Sequence, residues 1–220
     1  MKLREKVHEY LLSIGYKQED LSAFDSSSVY IAQEIAIYAH RGQKRVNGED
    51  YVVHPFGVLQ NYRDFVGIVD GDYFCLDEDL LVGECGIPYR GVQEVCLLHD
   101  VLEDTSVTID EIEEFYDQMG LGSFFKLYVK NPLLLITHDD EDDYAVYIGR
   151  LMADVTASIV KFMDFANNMN PITLKEFGEK EVKRIYEYAT YASILNTRWN
   201  FLEKIEKYRR LRAEKKKNNN

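Results

Sequence analysis

Between about Ser27 and His40 the apolar residues Val29, Ile31, Ala32, Ile35, Ala36 and Tyr38 recur at helical spacing and form one broad face, which predicts a helix. Arg41-Gly42-Gln43 ends it, and the polar stretch from Lys44 to Val53, with Asn47-Gly48 inside it, predicts a loop with a turn. Pro55 suits the first position of a new helix, where its missing N–H costs no intrahelical bond. That puts His54 at or just before the helix start, with Phe56 to Tyr62 continuing it. From Asp64 to Arg90 the periodicity is lost. Gly67, Gly71, Gly83 and Gly86 punctuate short apolar runs such as Tyr73-Phe74-Cys75-Leu76, so this stretch reads as an insertion able to hold a small β-hairpin.

Helix resumes at about Val92 and is expected to run through Glu103, and Thr108-Ile109-Asp110-Glu111 is a capping box that opens another short helix. The acidic run Asp139 to Asp143 lacks the glycine alternation of a calcium loop and reads as a solvated loop or helix start. A helical pattern then covers Tyr144 to Phe165. Thr173-Leu174-Lys175-Glu176 is a second capping box, and two amphipathic helices finish the chain. The expected architecture is all-α, one domain over 1–208 with an insertion at about 64–90, followed by a basic, disordered tail over 209–220.

Composition narrows the function. The chain of 220 residues is 46% hydrophobic and 29% charged, an ordinary globular balance with ample core material. No apolar run approaches the roughly 18 to 20 residues needed to span a bilayer, and Met-Lys-Leu-Arg-Glu-Lys is no secretory signal, so no membrane partner and a cytoplasmic location are expected. A net charge of −12 argues against broad binding to a nucleic-acid backbone. The basic stretch Lys207 to Lys217 is the exception, read either as a solvated helix end or as an electrostatic contact to RNA or another subunit, and a homo-oligomer stays open. Cys75, Cys85 and Cys96 match no zinc-finger spacing.

The candidate chemistry lies in His99-Asp100-Val101-Leu102-Glu103-Asp104-Thr105, which follows His54-Pro55 by 45 positions, with Asp164 another 64 positions beyond Asp100. An adjacent His-Asp pair in an apolar stretch is costly to bury unless a partner satisfies both groups, and a divalent metal does so. One distant His and one distant Asp complete a mixed nitrogen and oxygen ligand set. In a continuous helix Glu103 lies beneath His99 and Asp104 beneath Asp100, so four polar groups share one edge. The bland alternative is a solvent-facing helix end. Against it, carboxylates near a helix C-terminus meet an unfavourable dipole and need a compensating cation.

Three runs carry a resemblance: Ala39-His40-Arg41-Gly42-Gln43-Lys44-Arg45, Gly48-Glu49-Asp50-Tyr51-Val52-Val53-His54-Pro55, and His99 to Thr105. They resemble the signature of the HD-domain phosphohydrolases, above all the guanosine tetraphosphate (ppGpp) 3′-pyrophosphohydrolases of the RelA/SpoT type and their small stand-alone relatives. Val160-Lys161-Phe162-Met163-Asp164 with Asn168-Met169 resembles the last motif of that family, and the likeness covers roughly Val29 to Asn170. It implies an HD-type helical bundle. It also implies His54, His99, Asp100 and Asp164 as ligands, usually of manganese, with Glu103 and Asp104 managing the attacking water and the leaving group. Arg45 matches the basic residue beside the nucleotide and Asn168 the Asn that contacts the nucleoside. Lys44 and Lys161 could neutralise phosphate charge, Lys161 equally serving as an ion-pair partner in its own helix, and His40 reads as a supporting or core histidine.

The chain departs from the pattern in places. Met163-Asp164-Phe165-Ala166-Asn167-Asn168 stands where the family commonly has Ala-Asp-Arg-Leu-His-Asn, Asp50 where it prefers Pro, and Val46 where a base-contacting Lys is frequent. The segment between His54 and His99 is also longer. The function implied is metal-dependent hydrolysis of a nucleotide, with ppGpp cut at its 3′-diphosphate to GDP and pyrophosphate as the leading case. The alternatives are a dNTP or nucleoside monophosphate, or an HD module that binds nucleotide or metal without turnover.

Overall fold

The computed structural model describes residues 1–24, 27–68, 76–139, 141–171 and 178–218. Helices α1 (Leu3–Ser13), α2 (Gln18–Phe24), α3 (Ser28–Ala39) and α4 (Val53–Val66) are followed by α5 (Val92–Leu98), α6 (Val101–Asp104), α7 (Ile109–Gln118), α8 (Gly122–Phe124) and α9 (Lys130–Ile136). The chain then forms α10 (Tyr144–Leu151), α11 (Val155–Asn168), α12 (Glu179–Trp199) and α13 (Phe201–Asn218), with π-helical turns at Asp79–Glu84 and Phe125–Val129. No strand occurs among the described residues beyond an isolated bridge between Lys44 and Asp50, as an all-α bundle requires.

The organising element is α5. Every residue from Val92 to Leu98 is buried, because α3, α4, α11 and the π turn at Phe125–Val129 pack around it. Its sequence, Val-Gln-Glu-Val-Cys-Leu-Leu, is apolar nearly all round, the pattern of a helix inside a core rather than on its surface. The two polar exceptions are satisfied: Gln93 Oε1 accepts from Arg63 Nε at 3.0 Å, and Glu94 accepts from the Ser28 hydroxyl. Gly91 precedes the helix at φ 78°, with its missing Cβ facing the Tyr128 carbonyl; a Cβ there would stand 2.3 Å from that oxygen.

Several expectations change in detail. Helix α4 starts at Val53, so His54 lies inside its first turn and Pro55 still falls among the N–H positions that make no intrahelical bond. The helix expected from Tyr144 to Phe165 is two helices. Met152-Ala153-Asp154 divides them, because Asp154 turns its carboxylate onto the Ala157 N–H at 2.8 Å and caps α11, which then runs on to Asn168. The capping box at Thr108 forms as read, and Asp143 caps α10 at the end of the acidic run. The Tyr73–Cys75 portion of the expected hairpin and the Thr173–Glu176 capping box lie outside the described residues. Past them the insertion is helical: Leu80 and Leu81 are buried in the π turn, and Cys85 and Cys96 are free buried thiols.

The basic end corrects the expectation of a disordered tail from 209, since α13 continues to Asn218. Phe201, Ile205 and Tyr208 bury one face of it. Its cations meet carbonyls at the C-terminal end of α4 and the π turn. Arg209 donates to the carbonyls of Asp64 (3.4 Å) and Phe65 (3.0 Å), and Lys207 to that of Glu84 (2.8 Å). Lys215 is ion-paired with Asp77. Helix-terminal carbonyls and the negative end of a helix dipole give positive side chains a reason to dock there. No described helix is long and apolar enough to cross a membrane.

Burial raises the Glu94 carboxyl above the ordinary glutamate range, against the Ser28 hydroxyl bond that lowers it. The unfolded chain therefore releases this proton first as pH rises, and stability falls from about pH 4 up through the folded-state value. Glu94→Gln should match the wild type near pH 4 and gain on it toward pH 7, in urea melts followed by the fluorescence of the one tryptophan, Trp199. A constant difference across that range would contradict the assignment.

Candidate metal centre

Four side chains from three places in the chain converge beside the C-terminal end of α5. His54 comes from the first turn of α4, His99 and Asp100 from the junction of α5 and α6, and Asp164 from the middle of α11. The Nε2 of His54 lies 3.1 Å from Asp164 Oδ1 and 3.5 Å from Asp100 Oδ2. The Nε2 of His99 lies 3.1 Å from Asp100 Oδ1 and 3.8 Å from Asp164 Oδ1. His54, His99 and Asp164 are buried and Asp100 is partly exposed.

The helix expected to run unbroken through Glu103 opens at this point. Asp100 takes φ −95°, ψ −6°, and helical bonding resumes with the Asp104 N–H on the Asp100 carbonyl at 2.8 Å. The His99 imidazole supplies the reason. Its Nδ1 donates to the Cys96 carbonyl at 2.9 Å, engaging the group that a continuing helix would give to the Asp100 N–H. The kink turns the two adjacent ligands toward one point.

Both imidazoles are held from behind. His99 Nδ1 is engaged by Cys96, and His54 Nδ1 lies 2.9 Å from Asn167 Oδ1. With Nδ1 donating in each ring, Nε2 is the atom presented to the carboxylates. His99 Nε2 is buried and makes no hydrogen bond. A lone pair facing two carboxylates is unstable unless a proton or a cation lies between them. The same demand appears as a shift: burial pulls the His99 pKa down, but the negative charges of Asp100 and Asp164 outweigh it and raise it to about 9. Asp164 is held far below the ordinary carboxylate range, Lys161, His54 and His99 overcoming its burial. Two imidazole nitrogens and two carboxylates form a donor set that a divalent cation such as manganese, iron or zinc fits, and one ligand atom each from His54, His99 and Asp100 already lie within 4.8 Å of one another.

Lys161 and Asn168 both converge on Asp164. Lys161 Nζ, at the edge of the core, sits 2.9 Å from Asp164 Oδ2, and Asn168 Nδ2 donates to Asp164 Oδ1 at 2.6 Å. Aromatic faces cover the ammonium, with the Phe165 ring centroid at 5.4 Å and that of Tyr147 at 5.7 Å. Glu103 and Asp104 stand at the exposed rim, beside an open polar cleft of about 460 Å³ with Arg41, Gln43, Thr105 and Ser106. Glu103 Oε2 accepts the His138 N–H at 2.9 Å. Lost hydration and the charges of Asp100 and Asp104 raise the Glu103 carboxyl, while that N–H and Lys161 lower it, with a net rise. Lys44 is turned away, ion-paired with Asp50 at 2.6 Å, and Arg45 holds the loop through its backbone N–H on the Glu49 carbonyl at 2.8 Å.

Tyr51, His40, Gln43 and Asn167 support the site from around it. The Tyr51 hydroxyl is 2.8 Å from Asp100 Oδ2 and 2.7 Å from Asp104 Oδ2; it carries one proton, so it serves one carboxylate at a time. His40, buried against the Tyr51 ring, bonds Gln43 Oε1 through Nδ1 at 2.7 Å, and Gln43 Nε2 donates to the Asp104 carbonyl at 2.9 Å. A relay from the end of α3 thus supports the rim. Asn167 is the partner of His54; its only sequence signal was its place beside Asn168 in the Asp164 motif.

Fold and site together describe an all-helical protein in which two histidines and two aspartates converge. The chain is 34% identical over 168 residues to the guanosine-3′,5′-bis(diphosphate) 3′-pyrophosphohydrolase of Borreliella burgdorferi, an alignment covering 72% of this chain and 20% of that protein. It is 26% identical over 180 residues to the protein of the same name in Aquifex aeolicus, covering 80% and 22% respectively. Against a GTP pyrophosphokinase of Myxococcus xanthus it is 26% identical over 203 residues, covering 87% and 23%. The chain thus spans about a fifth of the length of these curated relatives. A solved structure described as a metazoan ortholog of SpoT that hydrolyses ppGpp superimposes with a TM-score of 0.55 at 21% identity, over 85% of this chain and 96% of that one. No protein-family profile matches. The chain is a relative of the HD-type ppGpp hydrolases of the SpoT/RelA group in sequence and shares their fold.

A cation that binds the folded site and not the unfolded chain stabilises by about 2.7 kcal/mol at a hundredfold excess over Kd. Adding Mn²⁺ at that excess should raise the melting temperature by several degrees, EDTA should reverse the rise, and Asp100→Asn should abolish it. An equal rise in Asp100→Asn would place metal binding elsewhere.

Proposed function

We propose that the chain is a metal-dependent pyrophosphohydrolase of guanosine-3′,5′-bis(diphosphate), using Mn²⁺ held by His54, His99, Asp100 and Asp164. The observation that carries the reading is the convergence of His54, Asp100 and Asp164 around His99 Nε2, a buried nitrogen without a hydrogen-bond partner. The names of the curated relatives support the choice of substrate. The reaction adds water across the bond between the 3′ oxygen and its phosphorus, giving GDP and pyrophosphate.

Held by His54, His99, Asp100 and Asp164, a divalent ion would lower the pKa of a water and polarise the phosphate oxygens. The chain's own residues do the rest. Glu103 Oε2 is engaged by the His138 N–H, which leaves Oε1 to take the proton of the attacking water, and its raised pKa suits a base that must also give the proton up. Asp104, steadied by Tyr51 through Oδ2 and by Gln43 through its carbonyl, keeps Oδ1 for the proton that the 3′ oxygen needs on leaving. Lys161 keeps Asp164 ionised, so this ligand stays charged inside the core. Arg45 and Asn168 are the nucleotide contacts in this reading. Lys44, ion-paired with Asp50, is the further cation of this loop.

The test is pyrophosphate release from ppGpp in Mn²⁺. The wild type should release it, Asp100→Asn should not, and Glu103→Gln should bind metal yet lose turnover by a factor of about 10² to 10⁴. Turnover of another nucleotide, equally lost in Asp100→Asn, would keep the centre and replace the substrate. Metal binding with no turnover on a nucleotide panel would leave a binding module.

A further inference from the structure

The two histidines of the centre are supported by different means. The Nδ1 of His99 rests on the Cys96 backbone carbonyl, which any residue at 96 supplies. The Nδ1 of His54 rests on a side chain, Asn167 Oδ1 at 2.9 Å, from another helix. Asn167 lies three residues beyond Asp164 on α11, so both face α4, and the neighbouring asparagines divide the work: Asn168 bonds the aspartate of its own helix, Asn167 the histidine of the next.

The space for this contact is made by Gly57, one turn beyond His54 on α4. A Cβ at Gly57 would lie 2.4 Å from Asn167 Nδ2, so any side chain there displaces the amide. Gly57 has no positive φ, and a mid-helix glycine costs about 0.5–1 kcal/mol relative to alanine; the close approach of Asn167 is the reason to keep it. A second asparagine bond, Asn61 Nδ2 to the Met163 carbonyl at 3.1 Å, fixes the register of α4 against α11 without Asn167. The helices are therefore aligned independently of the His54 contact.

We propose that Asn167 and Gly57 form a positioning pair that sets the tautomer and direction of His54, and through it the metal affinity of the centre. The inference rests on the metal-site reading above. Asn167 accepts the Nδ1–H, which leaves the Nε2 lone pair for the cation, and Gly57 keeps the amide in place. Partners behind a metal-bound histidine are worth about 10- to 100-fold in metal affinity.

The experiment measures Mn²⁺ binding by calorimetry and the visible spectrum of the Co²⁺-loaded full chain. Asn167→Leu, which keeps the shape and removes the acceptor, should weaken Mn²⁺ binding about 10- to 100-fold and shift the Co²⁺ bands. Asn167→Asp, which keeps the acceptor, should retain the affinity, a contrast that a merely structural role would not produce. Gly57→Ala should weaken binding in the wild type but add no further loss to Asn167→Leu, because both act through one contact. Wild-type affinity and spectrum in Asn167→Leu, with binding lost in His54→Ala, would overturn the pair and keep the metal site. Additive losses for Gly57→Ala and Asn167→Leu would equally overturn it. No metal binding by the wild type would overturn both readings.

Discussion

Two carboxylates, Asp100 and Asp164, are brought to the edge of a helical core within reach of the same pair of imidazoles, and the surrounding structure is arranged around their charge. Removing a carboxylate from water costs several kcal/mol even after relaxation, so neither could stand there alone. Lys161 meets Asp164 from its own helix, the two imidazoles face both acids, Asn168 donates to Asp164 Oδ1, and the Tyr51 hydroxyl lies between Asp100 and Asp104. The residual demand for positive charge, visible in the upward shift of His99, is the physical basis for a cation site. A protonated imidazole answers that demand in part; a divalent ion answers it in full and leaves both rings neutral.

The bundle serves this arrangement by holding its three contributors at fixed register. Helix α5 lies inside the core and ends at the centre, so that His99 and Asp100 emerge from apolar packing without a polar face to carry them. Helices α4 and α11 flank it and bring the other two ligands. The far end of α4 is closed by the cations of α13 on its terminal carbonyls, so a segment that reads as a solvated tail anchors the helix whose first turn carries His54. The rim is carried separately. The His40–Gln43–Asp104 relay ties the loop after α3 to Asp104, while His138, ahead of α10, holds Glu103.

The departures from the resembled family gain a physical setting. Phe165, where an arginine is common, lies stacked 5.3 Å from Tyr188 and puts its face near the Lys161 ammonium, so the cation paired with Asp164 is a lysine packed among rings. Asn167, where a histidine is common, still offers an acceptor to His54. Val46, where a lysine is frequent, is 83% exposed on the loop ahead of α4, and Lys44 is spent on Asp50. The buried histidines and aspartates keep their partners, while the basic positions of the resembled pattern are thinner on the loop ahead of α4. Metal chemistry and substrate choice are therefore separable questions in this chain.

Local signals were enough for much of this. The spacing of Ile31, Ile35 and their neighbours, the capping box at Thr108 and the glycine break after α3 each rest on residues a few positions apart, where helix geometry alone decides. That His99 and Asp100 would need a compensating partner was legible because a buried His-Asp pair demands one wherever it folds. Other features depended on partners distant in sequence. The division of the helix at Asp154 turned on one carboxylate choosing the Ala157 N–H, and the break at His99 on an imbalance between ring and backbone donors. The docking of α13 required carbonyls some 140 residues earlier. Tyr51 and Asn167 carry no signal of their own, since a hydroxyl between two aspartates and an amide behind a histidine exist only once α4, α6 and α11 meet. The sequence by itself determined most of the helices and the histidines and aspartates that need compensation; the tertiary structure decided which side chains hold them, because such bonds form between helices and no single helix contains them.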